Sequence, residues 1–277
     1  MTPFKLFASV ILLLGALAVA ACASPTGAAK PAEITVVAKD FTYELPAQMP
    51  AGLTTITLKN EGAEPHHAQF ARVNDDVSDE QIMAALQQGP DAALALVTLP
   101  GGPAVIPPGQ STQVTIDLTP GRYLVLCFVP GHDGVPHAAK GMISMTQVVD
   151  STARPAAPPK SDLTITLQDF SFTMPDTLKA GQQVWQVVNK GPQPHEIALI
   201  KLADGKTMDD VMAYMHDPVG PPPFEDAGGM QGLTAGSTGY FHVDLKPGVY
   251  VALCHIPDPN TGMAHEELGM VSVFTVN

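Results

Sequence analysis

Four metal-seeking residues recur in the same order at two places in the chain: His66, Cys127, His137 and Met142, then His195, Cys254, His265 and Met270. Two imidazoles and a thiolate, with a thioether as a weak fourth donor, form the donor set of trigonal electron-transfer copper. Nitrogen suits Cu(II) and sulfur suits Cu(I), so a geometry tolerable to both lets one electron pass with little rearrangement. One copper per quartet, two in all, is the expectation. In the first quartet two other histidines compete. His132 also follows Cys127 closely, but His137 keeps the spacing to methionine and has a counterpart in the second quartet. His67 adjoins His66, which is preferred because it matches His195.

The quartets belong to a duplication. Asp40-Phe41-Thr42-Tyr43 falls on Asp169-Phe170-Ser171-Phe172, Asn60 on Asn189, and Pro65-His66 on Pro194-His195. After a two-residue shortening, Gly101-Gly102 meets Gly228-Gly229, Pro120-Gly121 meets Pro247-Gly248, and Tyr123 meets Tyr250. Cys127 then meets Cys254, His137 meets His265, and Gly141-Met142 meets Gly269-Met270. Such self-similarity means one supersecondary design used twice.

Elements that could position these residues are mostly strands. Residues 33–37, 53–58, 113–118 and 162–167 alternate apolar and polar with period two, as half-buried strands do. Pro120-Gly121 and Pro247-Gly248 mark turns into the strands that end at the cysteines. Ser78 with Gln81 has the form of a capping box, and Gly89 is placed to stop that helix. In the second copy Met208, Val211, Met212 and Met215 share one helical face. That spacing assigns Met208, Met212 and Met215, together with Met230, to core packing rather than to further ligands. His216, His242 and His255 lack counterparts in the first copy and read as surface or loop residues. Frequent turns (27 Pro and 24 Gly) and one helix per copy predict an all-β chain of two small sandwiches.

With the motifs in place, the chain resembles the cupredoxins, the blue-copper family that includes plastocyanin, azurin and the copper domains of nitrite reductases. The resemblance rests on Asn60 to His66, on Tyr123 to Cys127 and on His137-Ala138-Ala139-Lys140-Gly141-Met142, each repeated in the second copy. It implies two tandem Greek-key sandwiches at residues 33–148 and 162–277, joined by a Pro-bearing linker at 149–161. The Cys-to-His interval exceeds that of plastocyanin or azurin and is closer to the nitrite-reductase loop.

Lys5 followed by the apolar run 6–20 reads as an export signal at 1–22. Val19-Ala20-Ala21-Cys22 resembles a bacterial lipobox, which implies lipidation at Cys22 and a tether at 23–32. The expected place is therefore the outer face of a bacterial membrane, periplasmic or cell-surface. The expected partners are that membrane and a redox protein or membrane oxidoreductase. A formal charge of −13 argues against nucleic acid. Electron transfer is the leading function and copper capture or delivery the alternative. A copper oxidase or nitrite reductase would need further histidines. Leu126 and Leu253 precede the cysteines and no His-x-His pair occurs, so the sequence-based expectation is a carrier and not an enzyme.

Overall fold

The computed structural model describes Met1 and residues 29–277, without the side chains of Pro90 and Asp91. Cys22 and nearly all of the signal and tether lie outside the described residues. No helix among the described residues is long and apolar enough to cross a membrane.

The first copy contains β1 (Ala32–Lys39), β2 (Thr42–Glu44), β3 (Gln48–Pro50), β4 (Gly52–Asn60), β5 (Gln69–Val73), α1 (Asp79–Gln88), α2 (Pro90–Leu94), β6 (Val97–Gly101), β7 (Ser111–Leu118), β8 (Gly121–Leu126) and β9 (Ile143–Val149). The second contains β10 (Leu163–Gln168), β11 (Ser171–Thr173), β12 (Thr177–Leu178), β13 (Gly181–Asn189), β14 (His195–Leu202), α3 (Met208–His216), β15 (Phe224–Leu233), β16 (Thr238–Leu245), β17 (Gly248–Leu253) and β18 (Val271–Val276). Both copies are cupredoxin-like β-sandwiches. The first holds a second helix, α2, where the second copy is shorter. The Asp40–Phe41 and Asp169–Phe170 peptides are both cis.

The sandwiches do not hang from the linker as separate beads. They stand side by side in two continuous sheets, of eight strands (β11-β10-β13-β16-β7-β4-β1-β2) and ten (β12-β18-β17-β14-β15-β6-β5-β8-β9-β3). At the seam each strand meets its own counterpart antiparallel, β16 on β7 (Phe241 opposite Val114) and β15 on β6 (Leu233 opposite Pro100). Burying two sheet edges against each other satisfies backbone groups that would otherwise be open for pairing. A single apolar cluster runs through both halves, from Val36 and Phe70 through Ile116, Met230 and Phe241 to Trp185 and Phe274.

The strands that lead to the cysteines are apolar on both faces because both are covered. Tyr123, Val125 and Cys127 face the shared core, while Leu124 and Leu126 face a cluster with Ile82 and Ala85 of α1. In the second copy Tyr250, Ala252 and Cys254 face the core and Val251 and Leu253 pack with Val211 of α3. Ser78 caps α1 through the expected reciprocal bonds with Gln81, and Thr207 with Asp210 does the same for α3. Met230 is fully buried and Met208 packs beside Val211, but Met212 and Met215 are each 36% exposed. A nine-residue helix lying on a sheet buries one narrow line, here centred on Val211, and the methionines flanking that line stay in solvent.

Candidate metal centres

Each centre begins with an asparagine at the end of a strand. The Asn60 amide donates to the carbonyls of Glu64 (2.9 Å) and Ile106 (3.0 Å) and its oxygen accepts from the Gly62 N–H (2.9 Å). Asn189 repeats this with Gln193 (2.7 Å), Leu233 (2.8 Å) and Gly191 (2.9 Å). The turn so held delivers His66 to a two-way backbone bridge with Ile106, and places His195 opposite Leu233. A Cβ on Gly62 or Gly191 would stand 2.6 Å from the Nε2 of His66 or His195, so this position admits only glycine.

The remaining residues come from one loop folded onto itself. Cys127 N–H donates to the Met142 carbonyl (3.3 Å), Ala138 N–H to Cys127 (2.7 Å), and Met142 N–H to His137 (2.9 Å). In the second copy Glu266 N–H donates to Cys254 (3.0 Å) and Met270 N–H to His265 (2.8 Å). Gly141 and Gly269 both lie at φ 104°, a left-handed conformation that explains glycine before each methionine.

These frames bring His66, Cys127 and His137 together, and likewise His195, Cys254 and His265, with ligand atoms within 4.8 Å of one another and every residue buried. The two Nδ1 atoms stand 3.0 Å apart in each centre. Cys127 Sγ lies 3.5 Å from His137 Nδ1 and 3.8 Å from His66 Nδ1, and Cys254 Sγ lies 3.3 Å from His265 Nδ1. Met142 and Met270 are fully buried beside them. His132 is exposed on the loop and outside the group, and His67 points elsewhere, its Nε2 accepting the Phe128 N–H at 2.8 Å. Phe41 covers His137 and Phe170 covers His265, with ring centroids 4.7 and 4.8 Å apart.

In the sequence Asp40 and Asp169 stand only as markers of the repeat. In the structure each is a brace: Asp40 Oδ1 is 2.7 Å from His66 Nε2, and Asp169 Oδ1 is 2.6 Å from His195 Nε2. Burial works to raise the Asp40 carboxyl, but the Ala63 N–H and the His66 ring outweigh it and hold the carboxyl below its ordinary value. A carboxylate only accepts, so Nε2 carries the proton and Nδ1 presents its lone pair. Glu64 does the same for His137, with Oε2 3.0 Å from Nε2. In the first centre two lone pairs therefore face each other across 3.0 Å beside a sulfur, an arrangement that repels itself until a cation sits between them. Burial pushes the Cys127 thiol up to about 11 and the Cys254 thiol well above its ordinary value, and lowers His66, His195 and His265. Neutral imidazoles are ready donors, whereas each thiol must give up its proton to a metal. The residues fit a copper ion.

His216 is exposed at the end of α3, and His242 lies in the seam with Nε2 2.9 Å from Thr115 Oγ1. His255 is 41% exposed but engaged, its Nδ1 2.8 Å from Glu266.

No family model and no curated protein matches this sequence. Among solved structures it is similar to dithionite-reduced auracyanin from Roseiflexus castenholzii, at 25% identity over 44% of this chain and 99% of that one (TM-score 0.29). It is also similar to a multicopper oxidase, at 20% identity over 88% of each chain (TM-score 0.26). A third likeness is to copper nitrite reductase from Nitrosomonas europaea, at 14% identity over 90% of this chain and 94% of that one (TM-score 0.27). Fold and centres together are cupredoxin-like, two β-sandwiches with a buried His-Cys-His group in each half. The expectation that the chain is not an enzyme is overturned. The likenesses that span both halves are to proteins named as an oxidase and a nitrite reductase. The exclusion rests on leucines before the cysteines and on the want of a His-x-His pair, and neither ground bears on histidines placed otherwise, such as His255 after Cys254.

Proposed function

We propose that the chain binds one copper in each half and passes single electrons, its ligands being His66, Cys127, His137 and Met142, and His195, Cys254, His265 and Met270. The observation that carries the reading is the convergence of two Nδ1 atoms and one Sγ in each buried centre. Bound copper supplies the one-electron couple. The protein's part is to hold both imidazoles by their far nitrogens, to keep water from the sulfur and to limit rearrangement between oxidation states. Export and lipid attachment at Cys22 would set the protein on the outer face of a bacterial membrane, beside a redox protein or membrane oxidoreductase. The net charge of −13 favours a partner with a positive docking face and disfavours nucleic acid.

The test is to load the chain lacking residues 1–22 with Cu(II), count copper per chain and record the visible spectrum, with Cys127→Ser and Cys254→Ser alongside. The expected result is two coppers and an intense thiolate-to-copper band, both halved by either substitution. Copper without that band, or no copper, overturns the reading.

A further inference from the structure

The two centres share their asparagine, aspartate and phenylalanine supports, but the partner of the second histidine is not shared. In the first half Glu64 Oε2 lies 3.0 Å from His137 Nε2, with the imidazole fully buried and the carboxylate 16% exposed. The equivalent residue in the second half is Gln193. Its amide nitrogen donates to Asp169 Oδ2 at 3.1 Å, while Gln193 Oε1 and His265 Nε2 are both buried without a hydrogen-bond partner. The first centre therefore has both imidazoles tied to carboxylates, and the second has only one.

We infer that Glu64 is a positioning residue that fixes His137 and biases the first centre towards Cu(II), and that Gln193 withholds this bias from the second. The inference rests on the copper reading above. An imidazole that donates its far N–H to a carboxylate is a stronger donor at the near nitrogen and is held in one tautomer and one orientation. The carboxylate's charge also acts on the metal through the ring, and it favours the doubly charged ion over the singly charged one. A glutamine can hold the ring but adds no charge. In the second half it does not hold the ring either, so His265 relies on loop packing and Phe170 for its orientation.

Each centre can be read alone in the full-length chain, the first in a Cys254→Ser background and the second in a Cys127→Ser background. Glu64→Gln is made in the former and Gln193→Glu in the latter. Cu(II) affinity is measured by competition with a chelator. The potential is measured by titration against a ferricyanide/ferrocyanide couple, which gives or takes the one electron that interconverts Cu(II) and Cu(I). Losing a carboxylate behind a ligand histidine costs about 10- to 100-fold in metal affinity. Glu64→Gln should lower Cu(II) affinity by that factor and raise the potential, a tenfold loss confined to Cu(II) corresponding to about 59 mV. Gln193→Glu should tighten Cu(II) binding and lower the potential. Because the exchanges run in opposite directions, a variant that merely loosens its fold cannot produce both results. Unchanged affinity and potential in two copper-loaded variants would overturn the inference. Parents that take up no copper, or show no thiolate band, would overturn the copper reading itself.

Discussion

The two halves agree in what aims the first histidine and the loop, and differ in the partner of the second histidine and in what surrounds the sulfur. Asp40 and Asp169, Asn60 and Asn189, Phe41 and Phe170, and Gly141 and Gly269 do the same work in each. Around Cys127 stand the Tyr43 hydroxyl, which donates to the His67 carbonyl, and the buried neutral His67, which burial lowers to about 3. Around Cys254 the same places hold Phe172, Glu196 and, next in the chain, His255 with Glu266. Glu196 is buried and accepts the His255 N–H at 2.9 Å. Burial opposes charge on His255, but Glu266, with Glu196 and Asp226 behind it, outweighs that and raises the ring to about 9. Duplication kept the geometry of the site and let its charges diverge, which is the way to make one ligand set serve two electrical environments.

The largest effect should come where the halves meet. A Cβ on Gly102 would stand 2.0 Å from the Ala68 carbonyl oxygen, and one on the equivalent Gly229 would stand 2.0 Å from that of Ile197. Neither backbone oxygen can yield without moving β14 or the residues entering β5, the strands that pair with β15 and β6 of the seam. Gly102→Ala and Gly229→Ala should each cost about 3 kcal/mol. Trp185, the single tryptophan, is buried in the second half against Phe241 and Phe274. Urea unfolding followed by its fluorescence reports that half, and far-ultraviolet circular dichroism reports both. One shared core requires the two curves to coincide, and Gly102→Ala, though in the first half, should shift the tryptophan transition. A tryptophan curve that ignores Gly102→Ala would mean two independent sandwiches.

The aspartate braces come next, and here the halves should respond alike. Asp40→Asn and Asp169→Asn keep an oxygen that can accept from the histidine but remove its charge. Each should weaken Cu(II) binding by about tenfold in its own centre and leave the other untouched. Chelator competition in single-site backgrounds measures this, and a loss in one half only would show that the shared brace has lost its role in the other.

Much of this was legible in the residues. The quartets, the duplication, the strand texture and the capping box at Ser78 all follow from local spacing, and local spacing is what sequence preserves. The braces were not legible, because Asp40 and His66 meet only after the chain has turned through β2, β3 and β4, and a repeated Asp-Phe pair looks the same whether it turns a chain or holds a ligand. The seam was hidden for a similar reason: β6 and β15 carry no unusual pattern, and their pairing depends on two copies lying edge to edge. Met212 and Met215 show the opposite failing. Helical spacing placed them on one face, but how much of that face a short helix buries is decided by the sheet beneath it.

The last predicted effect, and the one that carries a pH signature, again separates the halves. Leu99 of β6 is buried apolar packing, whereas its equivalent on β15 is Asp226, whose carboxyl burial raises to about 6, against a lowering by His255. A carboxyl whose folded value lies above the unfolded value of about 3.9 binds its proton more tightly when folded. Its contribution to stability is therefore complete below about pH 4, declines as the pH rises towards 6, and is absent above that. Asp226→Asn should leave stability unchanged near pH 4 and increase it by about 1–2 kcal/mol at pH 7, once partial exposure is allowed for. Urea midpoints at the two pH values measure the difference. A gain of the same size at both would mean that the substituted amide improves packing, and that the buried charge on this side of the seam costs nothing.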